Sequence, residues 1–464
     1  MGVVVAEGFA TFRAWPCLGC VPTKTLNILH FTALETSGGA ARAAYRIHRS
    51  LVEHGASFGV QSRMRVLEKQ SDDPTVINGP TPASLHWFHR RMRPRRFLKA
   101  KRGFQPSNPI LHSIAWPASG LAQELALGGP LAHTELLHLH WLGDHMLSIE
   151  EIGAIHQPLV WTLHDQWAFC GAEHYAPLSN SPQKDIESER FAQGYPASTR
   201  PESERGPDLN RLTYLRKQRA WKRPMQMVCP SHWMAEAMRR SPLMASWPAT
   251  VIPYPIDLEH WCPASQQQAR ALLGLPAEIP LVLFGAVNGT ADPRKGADLL
   301  LEALKRLRSR VADSRMAGLA FVVFGESRPA QPPDLGFPIH YVGRLADDLS
   351  LRLHYAAADV FVIPSRQDNL PNTGLEAHAC GVPVVAFRTG GLEDIVEDRI
   401  TGALAEPFDP ESLASAIQWV LEDPIRCRAL GAAARARAVR LWDPQRIAGL
   451  YADVYRQALL TRPH

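Results

Sequence analysis

The stretch ADVFVIPSRQDNLPNTGLEA, residues 358–377, passes through strand, loop and helix within twenty positions. Its apolar run, Ala358 to Pro364, is too short for a helix and reads as a buried strand. A polar loop follows, then a helix near Thr373 to Cys380, and at once another apolar run, Pro383 to Phe387. Two parallel strands need a crossover of helical length between them, so this alternation is the signature of a parallel sheet covered by helices.

The rhythm extends in both directions. Before it lie Pro280 to Gly285, a helix at 296 to 310, Leu319 to Gly325 and His340 to Gly343. Further upstream, Thr25 to Phe31 leads through Ser37-Gly38-Gly39-Ala40 into an amphipathic helix carrying Ala44, Ile47, Leu51 and Val52. His138 to Trp141 and Pro158 to Leu163 read as buried parallel strands, Met227 to Ser231 as a strand entering a helix capped by Ser231, and Thr250 to Pro253 as the last strand of that half. The expected fold class is α/β, with two Rossmann-like doubly wound domains facing each other across a cleft.

The expected domains are an N-terminal extension at 1–24, a first domain at 25–253 and a second at 278–440. A Pro-rich linker at 254–277 joins them, and an amphipathic helix at 441–464 ends the chain. Residues 176–210, rich in Ser, Pro, Glu and Gln, read as a flexible insertion.

A chain of 464 residues exceeds one ordinary hydrophobic core, and 45% hydrophobic with 20% charged residues excludes a disordered or fibrous class. No apolar run reaches the length of a membrane span. The opening residues lack the basic start of a secretory signal and carry Glu7 and Arg13 within the run. Seven cysteines, with Cys17 and Cys20 the only close pair, read as reduced thiols of a cytoplasmic protein rather than metal ligands. The net charge of +5 is concentrated in HRRMRPRRFLKAKR, residues 89–102, with Trp87, Phe88 and Phe104 beside it. That mixture suits an anionic membrane surface, or a plain solvated segment, better than nucleic acid.

Open parallel sheets bind ligands beyond the carboxyl ends of their strands, which narrows the search. Gly38 and Gly39 would let backbone approach a phosphate at a helix N-terminus, or simply make a turn. Arg294 and Lys295 open a helix, where cations oppose the dipole, so an anionic partner such as a diphosphate gives them a purpose. Asp368 and Glu376, eight residues apart, suit the gripping of a sugar and a ribose at once, and serve equally as helix-capping acids. His164-Asp165 follows an apolar strand without the His or Asp spacing of a metal site. Thr389-Gly390-Gly391 is a further strand-glycine-helix turn.

Together these segments resemble the retaining glycosyltransferases of family 4, of GT-B architecture. His164-Asp165-Gln166-Trp167-Ala168-Phe169 looks like the colanic-acid and exopolysaccharide members. The resemblance runs from about residue 24 and is strongest over 358–402. It implies transfer of a hexose-type sugar, with retention, from a nucleotide diphosphate sugar to a saccharide or lipid-linked acceptor in cell-surface glycan synthesis. By that match Glu376 holds the ribose, Asp368 the transferred sugar, and Arg294 and Lys295 the diphosphate. The loop Asn369, Leu370, Pro371, Asn372 and Thr373 lends amides, and Gly38 and Gly39 form the glycine-rich loop. Gly325 and the strand end Tyr341-Val342-Gly343-Arg344 cradle the base, and His164 is the active-site histidine. His140, Trp141 and Asp165 fall on the acceptor side. No metal or other cofactor is expected, and no nucleic acid partner; attachment to the inner membrane face is one of the two readings of 87–104. Two rival readings are a sugar-nucleotide epimerase of the same build and a non-catalytic carbohydrate- or membrane-binding relative.

Overall fold

The computed structural model describes residues 25–78, 99, 101–107, 110–115, 134–143, 146–177, 190–285, 292–311, 316–345 and 347–460. The expected extension at 1–24, Cys17 and Cys20, and most of the basic segment 89–102 lie outside them.

Thirteen strands of the described residues form two wholly parallel sheets. The first contains β1 (Leu26–Phe31), β2 (Val60–Val66), β3 (Val76–Asn78), β4 (Leu136–Leu139), β5 (Leu159–Thr162), β6 (Gln226–Cys229) and β7 (Ala249–Val251), in the order β3-β2-β1-β4-β5-β6-β7. The second contains β8 (Leu281–Gly285), β9 (Ala320–Phe324), β10 (Ile339–Gly343), β11 (Val360–Ile363), β12 (Val384–Phe387) and β13 (Gly402–Ala405), in the order β10-β9-β8-β11-β12-β13. In both, the order reverses beside the first strand, between β1 and β4 and between β8 and β11. A crevice opens at such a reversal because the helices on its two sides depart to opposite faces. The central strands are buried throughout, as in β4, β5, β8 and β11, which explains their unbroken apolar sequence. The two-domain, doubly wound α/β fold expected from the alternation is the fold observed.

Helix α1 (Gly39–His54) follows β1 through Gly38, whose φ of 91° lies where a side chain is strained. Helices α2 (Ala297–Val311) and α3 (Asn372–Ala379) follow β8 and β11. The last helix, α4 (Pro444–Leu460), returns to the first sheet and lies against α1. Its fully buried Tyr451 and Tyr455 reach Thr162 Oγ1 at 3.1 Å and His138 Nδ1 at 2.8 Å. Each aromatic contributes about 1.5–3 kcal/mol of burial, while its hydroxyl supplies a partner to a buried polar group of the sheet.

Two readings need correction. Residues 190–210 are not a loose insertion: Phe191 and Tyr195 are buried, and Arg190 pairs with Asp208 at 2.7 Å. Within 254–277, Gln266–Leu273 is a helix, packed on the helix Asp348–Ala357 of the second half. Polar composition concealed both sets of apolar anchors.

Candidate active site

The carboxyl ends of the two sheets face one another across a cavity of about 700 Å³. Arg294, Lys295, Asp368, Glu376, His164, Asp165, Trp141, Gly38, Gly39, Gly325 and the run Asn369 to Thr373 all line it. Residues from six separate strand ends and loops thus share one space.

On the second-half wall the cations and acids are already matched. Lys295 Nζ lies 2.6 Å from Asp368 Oδ2. That approach depends on Gly296, where φ is 65° and a Cβ would run into the Pro364 carbonyl at the end of β11. The glycine lets the loop 292–296 lie flat on that strand end, which sets Lys295 over the Asp368 loop. Arg294 is gripped at both ends of its guanidinium by Asp292, with Nη2 to Oδ2 at 2.6 Å, and lies 4.2 Å from the centre of the Tyr175 ring. The Asp368 backbone is pinned in turn, its carbonyl accepting the Gly391 amide at 3.0 Å. Gly390 and Gly391 therefore support the loop from behind; they do not line the cavity.

Glu376 is only 1% exposed, one turn into α3. A carboxylate so buried needs partners, and it has two: Arg46 Nη2 at 2.6 Å and the Tyr355 hydroxyl at 3.1 Å. Arg46 comes from α1 of the opposite half and also donates to Asn372 Oδ1 at 3.3 Å. Asn372 Nδ2 answers with a bond to the Gly39 carbonyl at 2.8 Å. A second strap runs through Asn369, whose Nδ2 donates to Leu163 O and His164 O and whose Oδ1 accepts from Ser231. A carboxylate has about four acceptor positions, so Glu376 retains capacity for a diol beside its two present donors.

The first-half wall holds the acid Asp165 and the cation Arg42, which pairs with Asp348 of the second half at 2.9 Å. Asp165 Oδ2 sits 2.6 Å from His174 Nδ1, and His174 Nε2 sits 2.7 Å from Ser113 Oγ. Burial pushes the Asp165 carboxyl up, but His174, the Trp167 amide and His164 outweigh it and hold the group below its ordinary value. His164 offers no ring nitrogen to the cavity: Nε2 meets His140 and Nδ1 meets Tyr254.

Several expected positions lie elsewhere. Of the strand end Tyr341-Val342-Gly343-Arg344 only Arg344 lines the cavity, with Leu345 after it. The cause is the edge position of β10, where the register slips between Tyr341 and Gly343 and the Gly343 carbonyl is taken by the Gly325 amide at 2.8 Å. His140 is 2% exposed and lies behind His164, away from the cavity. Arg46, Tyr175, His174 and Tyr254 were not singled out in the sequence. The one available signal was helical spacing, which aligns Arg42 with Arg46 on one stripe of α1 just beyond the glycine turn.

Residues 281–423 match the family model described as glycosyl transferases group 1. The segment includes Arg294, Lys295, Asp368 and Glu376. A D-inositol 3-phosphate glycosyltransferase of Xylanimonas cellulosilytica is 34% identical over 234 residues, 46% of this chain and 52% of that protein. A GDP-mannose-dependent alpha-(1-6)-phosphatidylinositol monomannoside mannosyltransferase of Mycolicibacterium smegmatis is 39% identical over 161 residues, 32% of this chain and 42% of that one. The chain thus spans about half the length of the curated relatives it matches. A sucrose-phosphate synthase structure from Thermosynechococcus elongatus superposes over 94% of this chain and 99% of its own, with a TM-score of 0.59 at 20% identity. That likeness concerns the fold, which is GT-B. No helix of the described residues is long and apolar enough to cross a membrane.

Proposed function

We propose that the protein is a glycosyltransferase that takes a hexose-type sugar from a nucleoside diphosphate and passes it, with retention, to a hydroxyl of a saccharide, polyol or lipid-linked acceptor. One observation carries this reading: Arg294, Lys295, Asp368 and Glu376, drawn from two separate strand-loop-helix units, converge on a single cavity. Lys295 and Arg294 are the groups to stabilise negative charge growing on a departing diphosphate. Glu376 suits a ribose diol, and Asp368, beside Lys295, the hydroxyls of the sugar being moved. The acceptor would enter along the first-half wall, where Asp165 accepts a hydrogen bond from its hydroxyl. The attacking hydroxyl then loses its proton to an oxygen of the leaving diphosphate, while the glycosidic bond to that diphosphate breaks and the new one forms on the same face. Residues 281–423 and the names of the relatives support the transferase class, and a role in cell-surface glycan synthesis at the cytoplasmic membrane face is part of the same proposal.

The test is a panel of nucleotide sugars with UDP-glucose and GDP-mannose among them, followed for hydrolysis and for transfer, with calorimetry of UDP and GDP. Binding of neither nucleotide together with no turnover of any donor would overturn the reading. Isomerised sugar without hydrolysis would favour the epimerase instead.

A further inference from the structure

A line of hydrogen-bonded rings climbs through the first sheet to the cavity. His30 Nδ1 is 2.9 Å from His140 Nε2, His140 Nδ1 is 2.9 Å from His164 Nε2, and His164 Nδ1 is 2.8 Å from the Tyr254 hydroxyl. All four residues are buried. The His30 and His140 planes differ by only 12° with centroids 5.2 Å apart, so the rings lie edge to edge, nitrogen facing nitrogen. His30, His138 and His140 do gather ring nitrogens within 4.8 Å, a spacing open to a metal ion. Yet the edge-to-edge contact is that of a shared proton, and both His138 nitrogens are taken by Tyr455 and Thr162.

Burial keeps these imidazoles neutral: it pushes His30 and His140 well below the ordinary value, and His164 down to about 4. A neutral imidazole has one N–H and one lone pair, so every proton in such a chain must point the same way. If Tyr254 donates inward, the chain ends in an N–H on His30 Nε2. If the protons run outward, His30 donates to His140, His140 to His164 and His164 to the Tyr254 oxygen, which leaves the Tyr254 proton free.

The two ends decide between these arrangements. His30 Nε2 is buried with no partner among the described residues, and an orphaned N–H is a rarer condition in protein interiors than an unused acceptor. At the other end Tyr254 lines the cavity within electrostatic reach of Asp165 and Asp368. A hydroxyl proton is drawn toward such carboxylates and a lone pair is repelled. Both ends therefore favour the outward direction.

We infer that the buried histidines His30, His140 and His164 fix Tyr254 as a hydrogen-bond donor into the cavity, where its hydroxyl binds an oxygen of the sugar substrate. The identity of that ligand rests on the proposed glycosyl transfer; the direction of the chain rests on geometry alone. The histidines are positioning residues and Tyr254 is the one that touches substrate.

Two measurements test it. Nitrogen NMR of the full chain with 15N-labelled histidine, assigned with His30→Gln and His164→Gln, should show the proton on Nδ1 and a bare Nε2 at His30, His140 and His164. Protons on Nε2 at these rings would overturn the inference. Tyr254→Phe should lower turnover of the donor that the panel identifies by about tenfold, the contribution of one hydrogen bond, while UDP and GDP affinities stay within about twofold. Full activity in that variant removes the substrate contact. Failure of the unaltered protein to bind UDP or GDP counts against glycosyl transfer, and the tautomer measurement still decides the chain's direction.

Discussion

The two walls of the cavity are built on the same strand-turn-helix plan, yet they handle buried polarity in opposite ways. The second half uses formal charge: Lys295 against Asp368, Arg294 against Asp292, and Glu376 against an arginine borrowed from across the cavity. The first half relies largely on neutral rings: His48, His138, His140 and His164 have both ring nitrogens partnered by another ring or by Ser, Thr and Tyr hydroxyls, and His30 has one. Under the proposed reaction, a wall that meets a diphosphate needs charge ready to be redirected to the ligand. The wall that meets an uncharged hydroxyl needs directed hydrogen bonds, which neutral groups supply without the desolvation cost of an ion.

Acid should break that contrast most strongly. Burial holds His48 and His164 at about 4, while in the unfolded chain they titrate near the ordinary 6.5. Between those values the unfolded state binds more protons, so stability is fully present above pH 6.5 and is lost as the pH falls toward 4. The loss is about 3 kcal/mol per ring. Denaturant unfolding at pH 7, 6, 5 and 4 should show it; a flat profile would mean these rings are not neutral in the fold.

The charged wall should fail through activity. Lys295→Ala and Arg294→Ala should each lower donor turnover by about tenfold to a hundredfold, roughly 1.4 to 3 kcal/mol of barrier. Steady-state rates on a common donor settle it, and two fully active variants would remove the diphosphate assignment. A smaller effect belongs to Glu376→Gln, which keeps the shape of the side chain and halves its accepting capacity. UDP or GDP affinity by calorimetry should weaken by about tenfold, and an unchanged value would leave Glu376 as a partner of Arg46 and Tyr355 only. The smallest change is expected at His232, which meets Asp394 on the surface with 80% of its side chain exposed. His232→Ala should move stability by less than about 0.5 kcal/mol, since solvent screens such pairs. A larger loss would show that this contact between the halves holds the cavity shut.

Much of the site was legible because spacing along the chain maps onto strand ends. Asp368 and Glu376 straddle a strand-to-helix turn, and Arg294 and Lys295 open a helix where cations are out of place, so each signal was local. Tyr341, Val342 and Gly343 misled because a strand's last residues look alike in sequence whether the strand is central or at an edge, and β10 is at an edge. The histidine chain had a partial trace in His138-Leu139-His140, where alternation places both rings on one face of β4. What the trace lacked was the pairing of β1 with β4, which sets His30 opposite His138. Phe191 and Tyr195 were visible as aromatics inside a polar stretch, but nothing nearby showed the surface that buries them.

The sequence by itself determined the alternation of strand and helix, the parallel sheets that follow from it, and which turns bring charged residues to the strand ends. All of these depend on neighbours within a few residues, where backbone sterics, caps and apolar periodicity act. Only the tertiary structure decided that Arg46 meets Glu376 across 330 positions, that Tyr175 lies under Arg294, and that three histidines line up behind Tyr254. Such contacts come from packing the two sheets and their returning helix together. Burial then obliges each polar group to find a partner wherever in the chain one happens to be near.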